Sequence, residues 1–153
     1  MAGPHVRQKM KKHSYRPGDI LQIPLPDGGI CYGRMYRDST IGVYLRRHAG
    51  IPDLTSFDRN PDLVAGIFTK DLPKMGWVTC THYAFHSDDD EWAPPVYSRD
   101  ILDPTKVRIY HRGALQAASE SEVEGLDPQL IYKPDQLAQE IARRISSTSE
   151  NEQ

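Results

Sequence analysis

No run of apolar residues in this 153-residue chain approaches the roughly eighteen that a membrane-crossing helix needs. Met1 to His13 is basic but lacks the apolar stretch of a secretory signal, so it does not read as an export leader. Cysteine is scarce: Cys31 and Cys80 are the only two. Both lie in strand-like apolar surroundings and form no Cys-x-x-Cys unit. That pattern reads as reduced, buried thiols, and cytoplasm is the expected compartment. An excess of one charge is missing too. Nineteen Lys and Arg against 21 Asp and Glu give a formal net charge of −2. No global basic field holds a phosphate backbone, so nucleic acid is an unfavoured partner. There is no Gly-x-Ser-x-Gly elbow, no cysteine-protease context and no Gly-rich phosphate loop. Carboxylates are plentiful, yet without a pocket in view they take no acid and base roles. No catalytic, cofactor-binding or metal residues are assigned.

What the chain does contain is one ordinary domain's worth of residues, enough for a core without metal or disulfide staples. The apolar share of 38 % is low for such a domain and fits polar ends. Residues 1–14, with Arg7, Lys9, Lys11 and Lys12, read as a flexible basic arm. Residues 15–146 read as a single globular domain and 147–153 as a disordered polar tail.

The clearest local signal is a β-hairpin over residues 16–36. Pro17-Gly18-Asp19 breaks whatever precedes it. Leu21, Ile23 and Leu25 then alternate, as a strand with one buried face should. Pro26-Asp27-Gly28-Gly29 reverses the chain, and Asp-Gly supplies the positive φ of primed hairpin turns. The return arm places Ile30, Tyr32 and Arg34 on one face and Cys31, Gly33 and Met35 on the other. Pro24 cannot donate to a ladder, which makes the first arm an edge at that point. Gly33 leaves a gap that predicts a bend or a close backbone crossing.

Thr40 to Leu45 adds a third alternating strand and completes a meander. Residues 46–62 are loop-like, punctuated by Pro52, Asp53 and Asp58-Arg59-Asn60-Pro61. Leu63–Phe68, Trp77–Tyr83 and Val107–Tyr110 read as further strands. Pro94-Pro95-Val96-Tyr97 favours an extended course. Ala114 to Gly125 fits either a helical turn or a loop. From Pro134, Leu137, Ile141 and Ile145 recur at four-residue spacing beside Ala138 and Ala142, an amphipathic helix with Arg143 and Arg144 in its last turn.

Asp88-Asp89-Asp90-Glu91, followed at once by Trp92, is the sharpest charge feature. Four adjacent carboxylates repel one another and predict an exposed loop. A large aromatic beside them makes Asp88, Asp89, Asp90, Glu91 and Trp92 the candidate partner-binding residues. His82, His86, Asp88 and Asp90 are of metal-ligand type. Along a strand, however, His82 and His86 stand about 13 Å apart, too far for joint ligation.

The run Gly-Asp-Ile-Leu-Gln-Ile-Pro-Leu-Pro-Asp-Gly-Gly-Ile-Cys-Tyr-Gly-Arg-Met resembles the opening of the immunity protein 26 family of bacterial polymorphic toxin systems. Gly18, Asp19, Ile20, Ile23, Pro24, Leu25, Asp27, Gly28, Tyr32, Gly33 and Arg34 carry the resemblance. Gly76-Trp77, Pro94-Pro95 and the helix after Pro134 follow in the same order, so it spans about residues 16–146. It implies a non-enzymatic protein that binds a cognate toxin domain and blocks its action in the producing cell. Many such toxins are basic, which would suit the carboxylates. Gly-Asp-Ile before a strand also resembles toxin ribonucleases of the PemK-like barrel type. Those usually carry an Arg-Pro pair where Arg34 is followed by Met35. The expected fold is α+β and mainly β: a twisted antiparallel sheet, or a partly open SH3-like or PemK-like barrel, with a C-terminal helix.

Overall fold

Alternating apolar residues in the first half of the chain produce a sheet buried on both faces. The computed structural model describes residues 15–48 and 50–151; the basic arm expected at 1–14 lies outside them. Five strands, β1 (Asp19–Pro24), β2 (Ile30–Met35), β3 (Thr40–Tyr44), β4 (Leu63–Ile67) and β5 (Val78–His82), come first. They are followed by β6 (Val96–Arg99), β7 (Val107–His111), β8 (Ala114–Ala118), α1 (Glu120–Val123), β9 (Asp127–Pro128), β10 (Ile131–Tyr132) and α2 (Pro134–Asn151). One sheet has the order β10-β4-β3-β2-β1-β5 and the other β8-β7-β6-β9. The fold is mainly β with a C-terminal helix, as expected. Both sheets are open, and each is mixed because β10 joins β4, and β9 joins β6, in parallel.

On one face of the larger sheet Leu21, Ile23, Cys31, Met35, Ile41, Val43, Leu63 and Ala65 meet Trp77 and the α2 residues Leu137, Ala138 and Ile141. The other face buries Ile20, Tyr32 and Tyr44 beneath Phe57. Phe57 sits on a 3-10 turn, Leu54–Asp58, whose first turn Asp53 caps through the Thr55 N–H. The stretch read as plain loop thus supplies a lid for the second face.

Of three local expectations, two change in detail and the one at Pro24 holds. The β1–β2 reversal has positive φ at Gly28 but not at Asp27. The Gly28 N–H donates to the Leu25 carbonyl and the Leu25 N–H to the Gly29 carbonyl. This is a type I turn followed by a glycine bulge, because Pro26 fixes a negative φ at the position where a primed turn needs a positive one. β1 is an inner strand, yet β5 pairs with it only over Asp19–Gln22. Pro24 therefore lies on a free edge, as the missing donor requires. At Gly33 the nearest neighbours are side chains and not a crossing backbone. An added Cβ would stand 2.5 Å from Ile41 Cδ1, so the glycine makes room for a core side chain.

The helix α2 continues through 147–151, where a disordered tail was expected. Ser146 to Asn151 contains neither proline nor glycine to stop it. Arg143 and Arg144 consequently fall mid-helix, where both donate to Glu140.

Candidate functional site

The residues that make the opening motif distinctive converge on one short segment, His82-Tyr83-Ala84. Gly18 has φ +98°, and a Cβ there would lie 2.6 Å from the Tyr83 carbonyl oxygen. The Tyr83 N–H donates to the Gly18 carbonyl at 2.8 Å. Asp19, buried at the start of β1, accepts from the Arg16 backbone N–H at 2.9 Å and faces His82 Nδ1 at 2.8 Å. Arg34 crosses from β2 and is only 6 % exposed. Its Nε and Nη2 donate to the Tyr83 carbonyl at 3.0 and 2.7 Å, Nη2 also to Ala84 at 2.8 Å, and Nη1 to Phe57 at 3.1 Å. The guanidinium lies over the Phe85 ring at 3.7 Å. Arg34 is spent on backbone carbonyls and is not presented to a phosphate, as a ribonuclease role would demand.

This clamp fixes the base of the acidic segment. Asp89–Glu91 forms a 3-10 turn, and a second anchor holds its far end. The Arg37 N–H donates to the Glu91 carbonyl at 2.8 Å. The Arg37 side chain pairs with the Glu91 carboxylate and lies 5.5 Å from the centre of the Trp92 ring. Arg112 pairs with Asp89 at 3.1 Å. Charge repulsion within the turn is therefore relieved by two arginines distant in sequence. Asp88, Asp89 and Asp90 are exposed, whereas Glu91 and Trp92 are half-buried against their own chain. Among the described residues Asp88 and Asp90 have no ion-pair partner.

The turn is one wall of a cleft of about 290 Å³. The opposite wall is Asp58-Arg59-Asn60-Pro61, and Tyr36, Phe85 and Trp92 supply aromatic surface. Tyr36 and Phe85 stack with centroids 5.4 Å apart. Burial pushes the Tyr36 phenol up to about 12, so it stays protonated and able to donate. Asp58 accepts from Tyr83 Oη at 2.8 Å and faces His86 Nε2 at 3.3 Å. Arg59 is engaged by Asp62. The rim thus carries the carboxylates of Asp58, Asp89 and Asp90 over an aromatic interior that Arg34 and Arg59 also line.

His82 and His86, weighed as metal ligands, turn to separate carboxylates, Asp19 and Asp58. Among the described residues no three His, Cys, Asp or Glu side chains gather as a metal site. Cys31 donates to the Tyr44 carbonyl at 2.8 Å and Cys80 to Ile20 at 3.4 Å. Both thiols are free, and desolvation pushes both up, away from the thiolate. Asp58, Tyr36 and Phe85 were not singled out in the sequence. Nothing in residues 54–61 signals that they will face 85–92, because that juxtaposition exists only in space.

Comparison with curated proteins and with solved structures gave no match. Comparison with known families gave one over residues 16–108, described as Immunity protein 26. The matched region holds β1 to β6, the Gly18, Asp19 and Arg34 clamp, and the whole acidic turn. With more than half of its length matched and the motif residues occupied in fixing that turn, the chain belongs to the immunity protein 26 family.

Proposed function

We propose that this chain is a cytoplasmic, non-enzymatic immunity protein that binds a cognate bacterial toxin domain and neutralises it in the producing cell. Family membership over residues 16–108 is the observation that carries the reading. We further propose that the toxin docks on the acidic turn, residues Asp88 to Trp92. A turn clamped at both ends loses little conformational freedom when it is bound. The exposed carboxylates of Asp88 and Asp90 draw in a basic partner and accelerate its capture. Trp92, held by Arg37, acts as part of the cleft wall and not as a protruding anchor.

The test is co-purification with the product of the neighbouring gene, followed by growth rescue of cells expressing that product. The expected result is a stable complex and full rescue. Asp88→Ser with Asp90→Ser should slow association by about tenfold at low salt and little at high salt. Circular dichroism of the variant should remain unchanged. Rescue unaltered by removing all four carboxylates of residues 88–91 would move the docking surface elsewhere. Absence of any complex or rescue would overturn the immunity reading itself.

A further inference from the structure

Open sheets carry edge strands, and among the described residues all but one of them are guarded. β9 and β10 are two residues each, and β9 contains Pro128. β5 is bulged. Its register against β1 jumps from Thr81 to Thr79 and leaves Cys80 as the extra residue. β8 has none of these devices. Its five residues, Ala-Leu-Gln-Ala-Ala, include no charge and no proline; the first four are exposed, and Leu115 is 53 % exposed.

The register of β8 shows which of its backbone groups β7 leaves unpaired. The β7–β8 turn is a two-residue primed turn, with φ +54° at Arg112 and +78° at Gly113. In such a hairpin the flanking pair, His111 and Ala114, is hydrogen-bonded, and bonded pairs alternate from there. Ile109–Gln116 and Val107–Ala118 are therefore bonded. The N–H and C=O groups of Leu115 and Ala117 face away from β7.

We propose that this edge pairs with the same edge of a second copy of the chain, antiparallel, about a two-fold axis at Gln116. The bonded pairs would be Leu115 with Ala117 of the second copy, and the reverse, a large side chain beside a small one each time. The ends are complementary in charge. Arg112 precedes β8, while Glu120, Glu122 and Glu124 follow it, and Arg112 and Glu120 lie four positions either side of Gln116. Antiparallel pairing sets each basic end against the other copy's acidic end. Arg112 also faces Asp89 and Glu120 faces Arg99 within the chain, but both members of this new pair remain exposed enough to take a further partner. The product is an isologous dimer with one continuous sheet.

Sedimentation equilibrium of the full chain over a wide concentration range, with amide hydrogen exchange on the same samples, tests this. The expected result is a monomer–dimer equilibrium in which the Leu115 and Ala117 amides gain protection as concentration rises. The Gln116 amide should be protected throughout. Ala117→Pro removes an outward N–H without touching the β7 ladder and should weaken self-association by about tenfold or more. Arg112→Glu should weaken it as well, as should added salt. The exchange measurement on unaltered protein stands even if a variant folds poorly. A monomer at every concentration would overturn the proposal. So would concentration-independent protection of Leu115 and Ala117, which places another segment of the same chain on the edge, or protection that appears only when a toxin domain is added.

Discussion

Gly33 and Arg34 are adjacent in β2 and do opposite things with space. A methyl group at position 33 would lie 2.5 and 2.7 Å from Cδ1 and Cγ1 of the fully buried Ile41. Gly33→Ala should therefore cost about 1–3 kcal/mol through overpacking. Ile41→Val, which deletes the nearer atom, should recover part of that cost in the double variant. A urea-denaturation cycle measures the coupling. Arg34 fills its side of the strand with donors. Removing it leaves the Phe57, Tyr83 and Ala84 carbonyls without these partners. Arg34→Ala should lower stability by about 3 kcal/mol, read as a shift in midpoint at constant m. Arg34→Lys should restore less than half, because an ammonium cannot match the planar fork spread over three carbonyls. If Arg34→Ala left stability unchanged, the clamp beneath the acidic turn would be immaterial.

Among the elements, α2 offers a pH test. Glu140 is held down to about 2 by hydrogen bonds from Arg143 and then Arg144. A carboxylate depressed in the folded state contributes fully above its unfolded value. The contribution fades as pH falls from there towards about 2. The group stays partly solvated, so Glu140→Gln should cost about 0.5–1 kcal/mol at neutral pH and nothing at the acid end, read by thermal melts across pH. This helix was legible in the sequence because Leu137 and Ile141 share one face, and β1 to β3 because Leu21, Ile23, Ile41 and Val43 alternate. β8 was not, since Ala-Leu-Gln-Ala-Ala is made of helix formers; the Arg112-Gly113 turn and pairing with β7 impose its extended form. β9 and β10 are too short for any period and owe their conformation to partners far away in the chain. At the site, the carboxylates announced the exposed turn. That Arg37 would draw Glu91 and Trp92 inward had no local signal.

At the scale of the whole molecule, the family match ends at residue 108 while the core does not. Leu137, Ala138 and Ile141 of α2 cover the face that Leu21, Ile23 and Ile41 expose. A fragment ending at Arg108 should therefore lack a cooperative unfolding transition and bind a hydrophobic dye, even though it keeps the entire motif and the acidic turn. A sharp melt from that fragment would show that the larger sheet stands without its helix. Residues 127–132 matter for a different reason. β9 adds to β6 in one sheet and β10 to β4 in the other, with the Gln129 N–H donating to Tyr97 and the Leu130 carbonyl accepting from Gly66 between them. That stretch is a single strap stitched into both layers. During synthesis the acidic turn leaves the ribosome well before the strap does, so a nascent chain would present its charges on an unfastened scaffold until the later stitch is drawn tight.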